Sequence, residues 1–184
     1  MPADQVSEGL VDGTRAGIGR FGRVLVARLT PGEDVLPALD RLLRAAGMSQ
    51  AVVFSGVASL QHATVRNIWA FPGEWPITPD QRRLTTFPGP LEILALQGNV
   101  APAPDGSLVF HVHAEFSVGT PAGMTYGGHL MDDTIVGTTA EIYLAELTGI
   151  EMRRTPDPVT KNLEIELAGP AGGRELAGPA GGRE

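Results

Sequence analysis

Across residues 108–118 the chain alternates. Leu108, Phe110, Val112, Ala114, Phe116 and Val118 are apolar, while His111, His113, Glu115 and Ser117 between them are polar. A period of two marks a strand with one buried face, so both imidazoles are expected to point the same way. Residues 21–30, FGRVLVARLT, are apolar and β-branched enough for another strand. The turn Thr30-Pro31-Gly32-Glu33-Asp34 that follows carries acidic groups suited to a helix start. Leu36, Leu39, Leu42 and Leu43 then recur at helical spacing up to Gly47, a plausible C-terminal stop. Residues 50–58 are almost continuously apolar apart from Ser55-Gly56 and read as a buried strand with a bulge, with residues 62–70 as its partner.

The pattern breaks over residues 70–90, where prolines stand at 72, 76, 79, 88 and 90, and a long structured loop is expected there. Strands resume at 91–100, 108–118 and 137–148. These elements predict a single α/β (α+β) domain: a mixed, mostly antiparallel sheet with one main helix packed on it. A helix of about fourteen residues spans only ~21 Å and cannot shield six strands, so neighbouring subunits are expected to cover part of the sheet. Residues 1–20, rich in Gly and polar groups, read as a loose lead-in, and residues 21–165 as the domain. Residues 166–174 and 175–183 repeat ELAGPAGGR, so 166–184 read as a low-complexity tail.

Composition narrows the function classes. The net charge of −7 is uneven: residues 1–90 hold nine basic and eight acidic groups, residues 91–184 five basic and thirteen acidic. Binding to nucleic acid or to an anionic membrane by bulk electrostatics is therefore not expected. The chain has 0 cysteines, so a metal must be held by imidazole and carboxylate. No leader-like segment and no stretch near the ~20 apolar residues of a membrane span is evident, which makes a cytoplasmic location the default.

Candidate chemistry centres on His111, His113 and His129, three of the chain's 4 histidines. Side chains two apart on a strand face have α-carbons roughly 6.6 Å apart, close enough to converge on one divalent cation. His129 follows Gly127-Gly128, whose missing side chains allow the backbone to approach its neighbours closely. Between Arg83 and Arg153 there is no Lys or Arg, and this acidic window reads as a region that attracts cations. A three-histidine site with an open coordination position fits the pattern, with zinc the expected ion; a solvated polar strand face is the plain alternative. Glu115 on the histidine face and Glu141 in TTAEIYL are candidate catalytic carboxylates, set against a solvated side chain and a structural acceptor. Tyr126 is a candidate hydrogen-bond donor to a ligand, or a packing aromatic. Arg82 and Arg83, in the proline-rich segment with Trp75, are candidates to close over an anionic ligand, or lie on an ordinary surface excursion.

Taken in order, VLVARLTPGEDVLPALDRLL, Val53-Phe54-Ser55-Gly56-Val57, PLEILALQGNV, HVHAEF and GGHLMDDTIVGTTAEIYLAEL resemble the plants-and-prokaryotes-conserved domain, the module that follows AT-hooks in plant nuclear proteins. The resemblance implies an α/β fold with a mixed sheet and one main helix. It also implies a homotrimer with the histidine region near subunit contacts, and metal binding at the positions of His111, His113 and His129. An AT-hook needs an Arg-Gly-Arg core; the nearest string here, Gly19-Arg20-Phe21-Gly22-Arg23, lacks it. Metal-dependent chemistry or binding of a small molecule is the leading expectation. A ligand-sensing module without turnover and a DNA-associated regulator are the alternatives.

Overall fold

The computed structural model describes residues 8–11, 14–71, 73–119 and 123–168. Its elements are β1 (Glu8–Val11), β2 (Thr14–Gly17), β3 (Arg20–Leu29), α1 (Val35–Ala45), β4 (Ala51–Ile68), a 3-10 turn (Pro79–Gln81) and β5 (Arg82–Pro102). β6 (Leu108–Val118), β7 (Thr125–Leu130), β8 (Ile135–Thr148), β9 (Glu151–Pro156) and β10 (Leu163–Ala168) complete them. The helix buries Val35, Leu36, Leu39 and Leu43 on one face, each worth about 1.5–3 kcal/mol of apolar burial. Asp34, at its N-cap, accepts hydrogen bonds from the backbone N–H groups of Asp133 (2.7 Å) and Thr134 (3.4 Å), pinning the helix start to the β7–β8 connection. Gly47 ends the helix region at φ 63°, a left-handed conformation open to glycine.

The main sheet runs β3-β8-β4-β5-β6-β7, and a further pairing joins β7 back to β4. Every described strand pairing is antiparallel, which corrects the expected mixed sheet. The helical crossover does make β3 and β4 parallel in direction. β8 lies between them, however, and pairs antiparallel with both.

Two expected boundaries move. Residues 51–68 form one strand rather than two partners, because bulges at Val53/Ser55, Ala58/Leu60 and Leu60/His62 bend it without ending it. The proline-rich loop is also shorter than expected. β5 begins at Arg82, across from Ile68, and Pro88 sits across from His62 beside a bulge, where a missing N–H is tolerated.

Structure also extends past both ends of residues 21–165. β1 and β2 pair within the lead-in, and Glu166, Leu167 and Ala168 pair with Arg153, Met152 and Glu151. Leu163, Ile165 and Leu167 continue an alternation into the first repeat copy, and this is what carries the strand onward. The tail's residues 169–184 lie outside the described residues.

The core lies between α1 and one sheet face, with Leu29, Leu39, Val53, Leu60, Leu96, Phe116 and Ile142 among its buried side chains. On the opposite face Val24, Val26, Phe54, Val57 and Leu94 are exposed, and Phe54 packs against Phe21 and Tyr143 at ring separations of 6.5 and 6.2 Å. His111 and His113 alternate with buried Val112 and Ala114, so they project from that same outward face. Among the described residues no helix is long and apolar enough to cross a membrane.

Candidate metal centre and its cavity

Strand register assembles the histidines. His113 stands across from His129 between β6 and β7, and His111 lies two residues along β6. The three ring centroids form a nearly equilateral triangle with sides of 5.3, 5.1 and 5.3 Å. One nitrogen from each ring lies within 4.8 Å of the others. A tetrahedral ion with metal–nitrogen bonds of about 2.0–2.1 Å needs ligand nitrogens about 3.3 Å apart, which modest side-chain rotations supply.

The glycines act as expected. A Cβ on Gly127 would strike the carbonyl oxygen of Ala114, and one on Gly128 would strike the side-chain amide of Asn67. Asn67 Nδ2 donates to the Gly127 carbonyl at 3.0 Å, holding β7 in place.

The electrostatic setting differs from the acidic window read along the sequence. Because β7 returns to β4, Arg66 stands across from His129. Arg82 and Arg154 join it in lining a cavity of about 690 Å³ with the histidines, Trp75, Asn162 and Glu164. The arginines come from outside the Lys/Arg-free window, and only the sheet's closure brings them to it. Burial first, then the Arg66 charge and the other two histidines, push the His129 imidazole down to about 4. His111 opens to solvent but stands in a crowded concavity; that crowding first, then Arg154 and His113, lowers it too. Both rings are therefore neutral near pH 7, the form that ligates a metal.

The other candidates separate. Glu115 lies on the histidine face and borders a second, shallower cavity of about 460 Å³ with Gln97 and His113. Glu141 pairs with Arg28 and with Val57, nine residues along β4 from Arg66. At ~3.3 Å per residue this places it roughly 30 Å from His129 within one chain, too far to share its chemistry. Tyr126 stands across from Phe116, and its ring packs on Phe87 at 5.2 Å, turned away from the triad. Tyr126 nonetheless lines the shallower cavity together with His113 and Glu115. Arg82 lines the larger cavity, whereas Arg83, its neighbour on the strand, is exposed and lines neither. His62 is apart from the triad, with Nε2 3.0 Å from Asp133 Oδ1.

Sequence reasoning missed Arg66, Asn67, Asn99 and Arg154. Arg154 Nη2 donates to Asn99 Oδ1 at 2.6 Å, and Asn99 is the register partner of His111. Only Arg66 left a signal, as a polar position alternating with Ala63 and Val65.

The family model for the Plants and Prokaryotes Conserved domain matches residues 16–148, a span that includes all three histidines. The chain belongs to this family. A plant- and prokaryote-conserved protein from Pyrococcus horikoshii is 26% identical to this Plants and Prokaryotes Conserved domain, with a TM-score of 0.65 over 82% of this chain and 98% of that one. A metal-containing protein from Archaeoglobus fulgidus superposes with a TM-score of 0.65 at 23% identity, covering 80% of this chain and 95% of that one; at that identity the likeness shows the fold alone. The bifunctional protein GlmU of a Synechococcus strain is 36% identical over 150 residues, 82% of this chain. The chain spans only 21% of that relative's length. Arg154 and the β9–β10 hairpin lie beyond the matched span, so one wall of the cavity comes from outside it.

Proposed function

We propose that this chain is a trimeric module holding one divalent ion, zinc, on His111, His113 and His129, and that it binds or transforms a small molecule in the adjoining cavity. The observation that carries the reading is the convergence of three imidazole nitrogens within 4.8 Å at a cavity of about 690 Å³. An ion bound by three imidazoles keeps an open position for water or a substrate oxygen and acts there as a Lewis acid. The metal-containing relative from Archaeoglobus fulgidus, which shares the fold, supports the same reading.

Around that position the chain supplies the rest. Gly127 allows β7 to lie close against β6, and Asn67 with Gly128 ties β7 to β4, which fixes the third ligand. Glu115 shares the face of His111 and His113 on β6, which supports assigning it as the carboxylate that accepts a proton or orients His113. Trp75 and Leu163 give the cavity apolar wall. The exposed apolar stripe from Val24 to Leu94 supports the trimer, since such a surface on a soluble chain marks an interface. Metal analysis of protein purified without a tag or chelator tests the reading: about one ion per chain supports it, and none contradicts it.

A further inference from the structure

Three guanidinium groups face the cavity against a single carboxylate, Glu164, among the described residues. Arg66 and Arg82 are half-buried, and Arg154 is only 3% exposed. Among the described residues none of the three has an ion-pair partner within 4 Å. Arg82 and Arg154 each spend one Nη2 on an asparagine, Asn162 at 2.8 Å and Asn99 at 2.6 Å, while the buried Arg154 Nε has no partner. Among the described residues the one carboxylate lining the cavity, Glu164, accepts a hydrogen bond from the Thr160 hydroxyl at 2.9 Å, and its charge favours Arg154 without a direct ion pair, which leaves two of the three arginines without a counter-charge. A buried arginine without an anion is costly, and its planar fork suits carboxylate and phosphate oxygens. A divalent cation beside three fixed positive charges is costly for the same reason unless an anion joins them.

Building on the metal reading, we infer that the cavity receives a small molecule with an oxyanion head, carboxylate or phosphate, and an apolar body. Arg66, Arg82 and Arg154 hold the head, and Trp75, Ile77 and Leu163 take the body. The arginine wall stands on the protein's own geometry, so anion binding persists, more weakly, when the metal is lost.

Calorimetric titration of the full chain with benzoate, phenyl phosphate, inorganic phosphate and benzyl alcohol tests this. Benzoate or phenyl phosphate is expected to bind at least tenfold more tightly than benzyl alcohol, and whichever of the two is tighter identifies the head. Inorganic phosphate, lacking the body, is expected to bind more weakly than phenyl phosphate. Arg66→Gln and Arg82→Gln should each weaken the aromatic anion at least tenfold; both side chains are half-buried, so these variants remain informative if Arg154→Gln fails to fold. A His111→Ala/His129→Ala protein, stripped of metal, should still bind the anion and still lose it on Arg66→Gln. That arm separates the two readings: an absent metal leaves the arginine dependence in place. Equal affinity in the parent and in Arg66→Gln would overturn the inference whatever the metal content. So would loss of the oligomer in Arg154→Gln with anion affinity unchanged in Arg66→Gln, since the arginines would then pair with a second copy of the chain.

Discussion

His113 stands directly across from His129 in the register between β6 and β7, with ring centroids 5.3 Å apart. That pairing depends on Gly127, which sits across from Glu115 and leaves room for the Ala114 carbonyl. Gly127→Ala is therefore expected to push β7 outward at a cost of about 1–3 kcal/mol. Metal affinity should fall although every ligand remains. Thermal melting and metal titration of the variant check both effects.

His129 sets a pH dependence in the metal-free protein. Its imidazole titrates at about 4 in the fold, against about 6.5 when unfolded, so between these values the unfolded chain binds more protons. Stability from this group is therefore fully present above about pH 6.5 and is lost as pH falls toward 4. Asp132, whose carboxyl is raised by burial and by Asp34, contributes in the opposite sense. Comparing melting temperatures of metal-free parent and His129→Ala isolates the histidine: the variant should show the shallower fall across that range.

The C-terminal boundary is set by β10 rather than by the repeat. Leu167 stands across from Met152, which is 4% exposed, so removing residues from 166 onward strips that pairing. Truncation after Ala168 should leave the melting temperature unchanged, because the remaining repeat is nearly devoid of large apolar side chains. Truncation before Glu166 should lower it.

Val57 lies at the middle of the outward apolar face and is 53% exposed in the single chain. A charge there costs the folded monomer little but is incompatible with a buried contact. Light scattering at micromolar concentration should give a trimer for the parent and a smaller species for Val57→Glu. A parent that is a stable monomer would remove the trimer from the account.

The legible parts of this protein were those encoded locally. Alternation put His111 and His113 on one strand face, leucine spacing gave α1, and the double glycine before His129 foretold a close approach. What was hidden depended on closure of the sheet. Nothing near Arg66 in the sequence indicates that β7 will return to β4 and set His129 beside it, and Arg154 reaches the cavity only through the β9–β10 hairpin. An acidic, Lys/Arg-free window along the chain was thus a poor guide to the field at the site. The surroundings of Glu141 and Tyr126 were hidden for the same reason: their strand positions were readable, but the pairings that set Glu141 across from Val57, far along β4 from Arg66, and rest the Tyr126 ring on Phe87 were not.

The metal centre is tested most directly by metal content across a set of single variants. Removing one of three imidazoles leaves a pair that cannot enclose a tetrahedral ion, whereas His62 is engaged with Asp133 away from the triad. Elemental analysis of untagged protein should give about one zinc per chain in the parent and in His62→Ala, and almost none in His111→Ala, His113→Ala and His129→Ala. Equal zinc in all four variants, or none in the parent, would contradict the assignment.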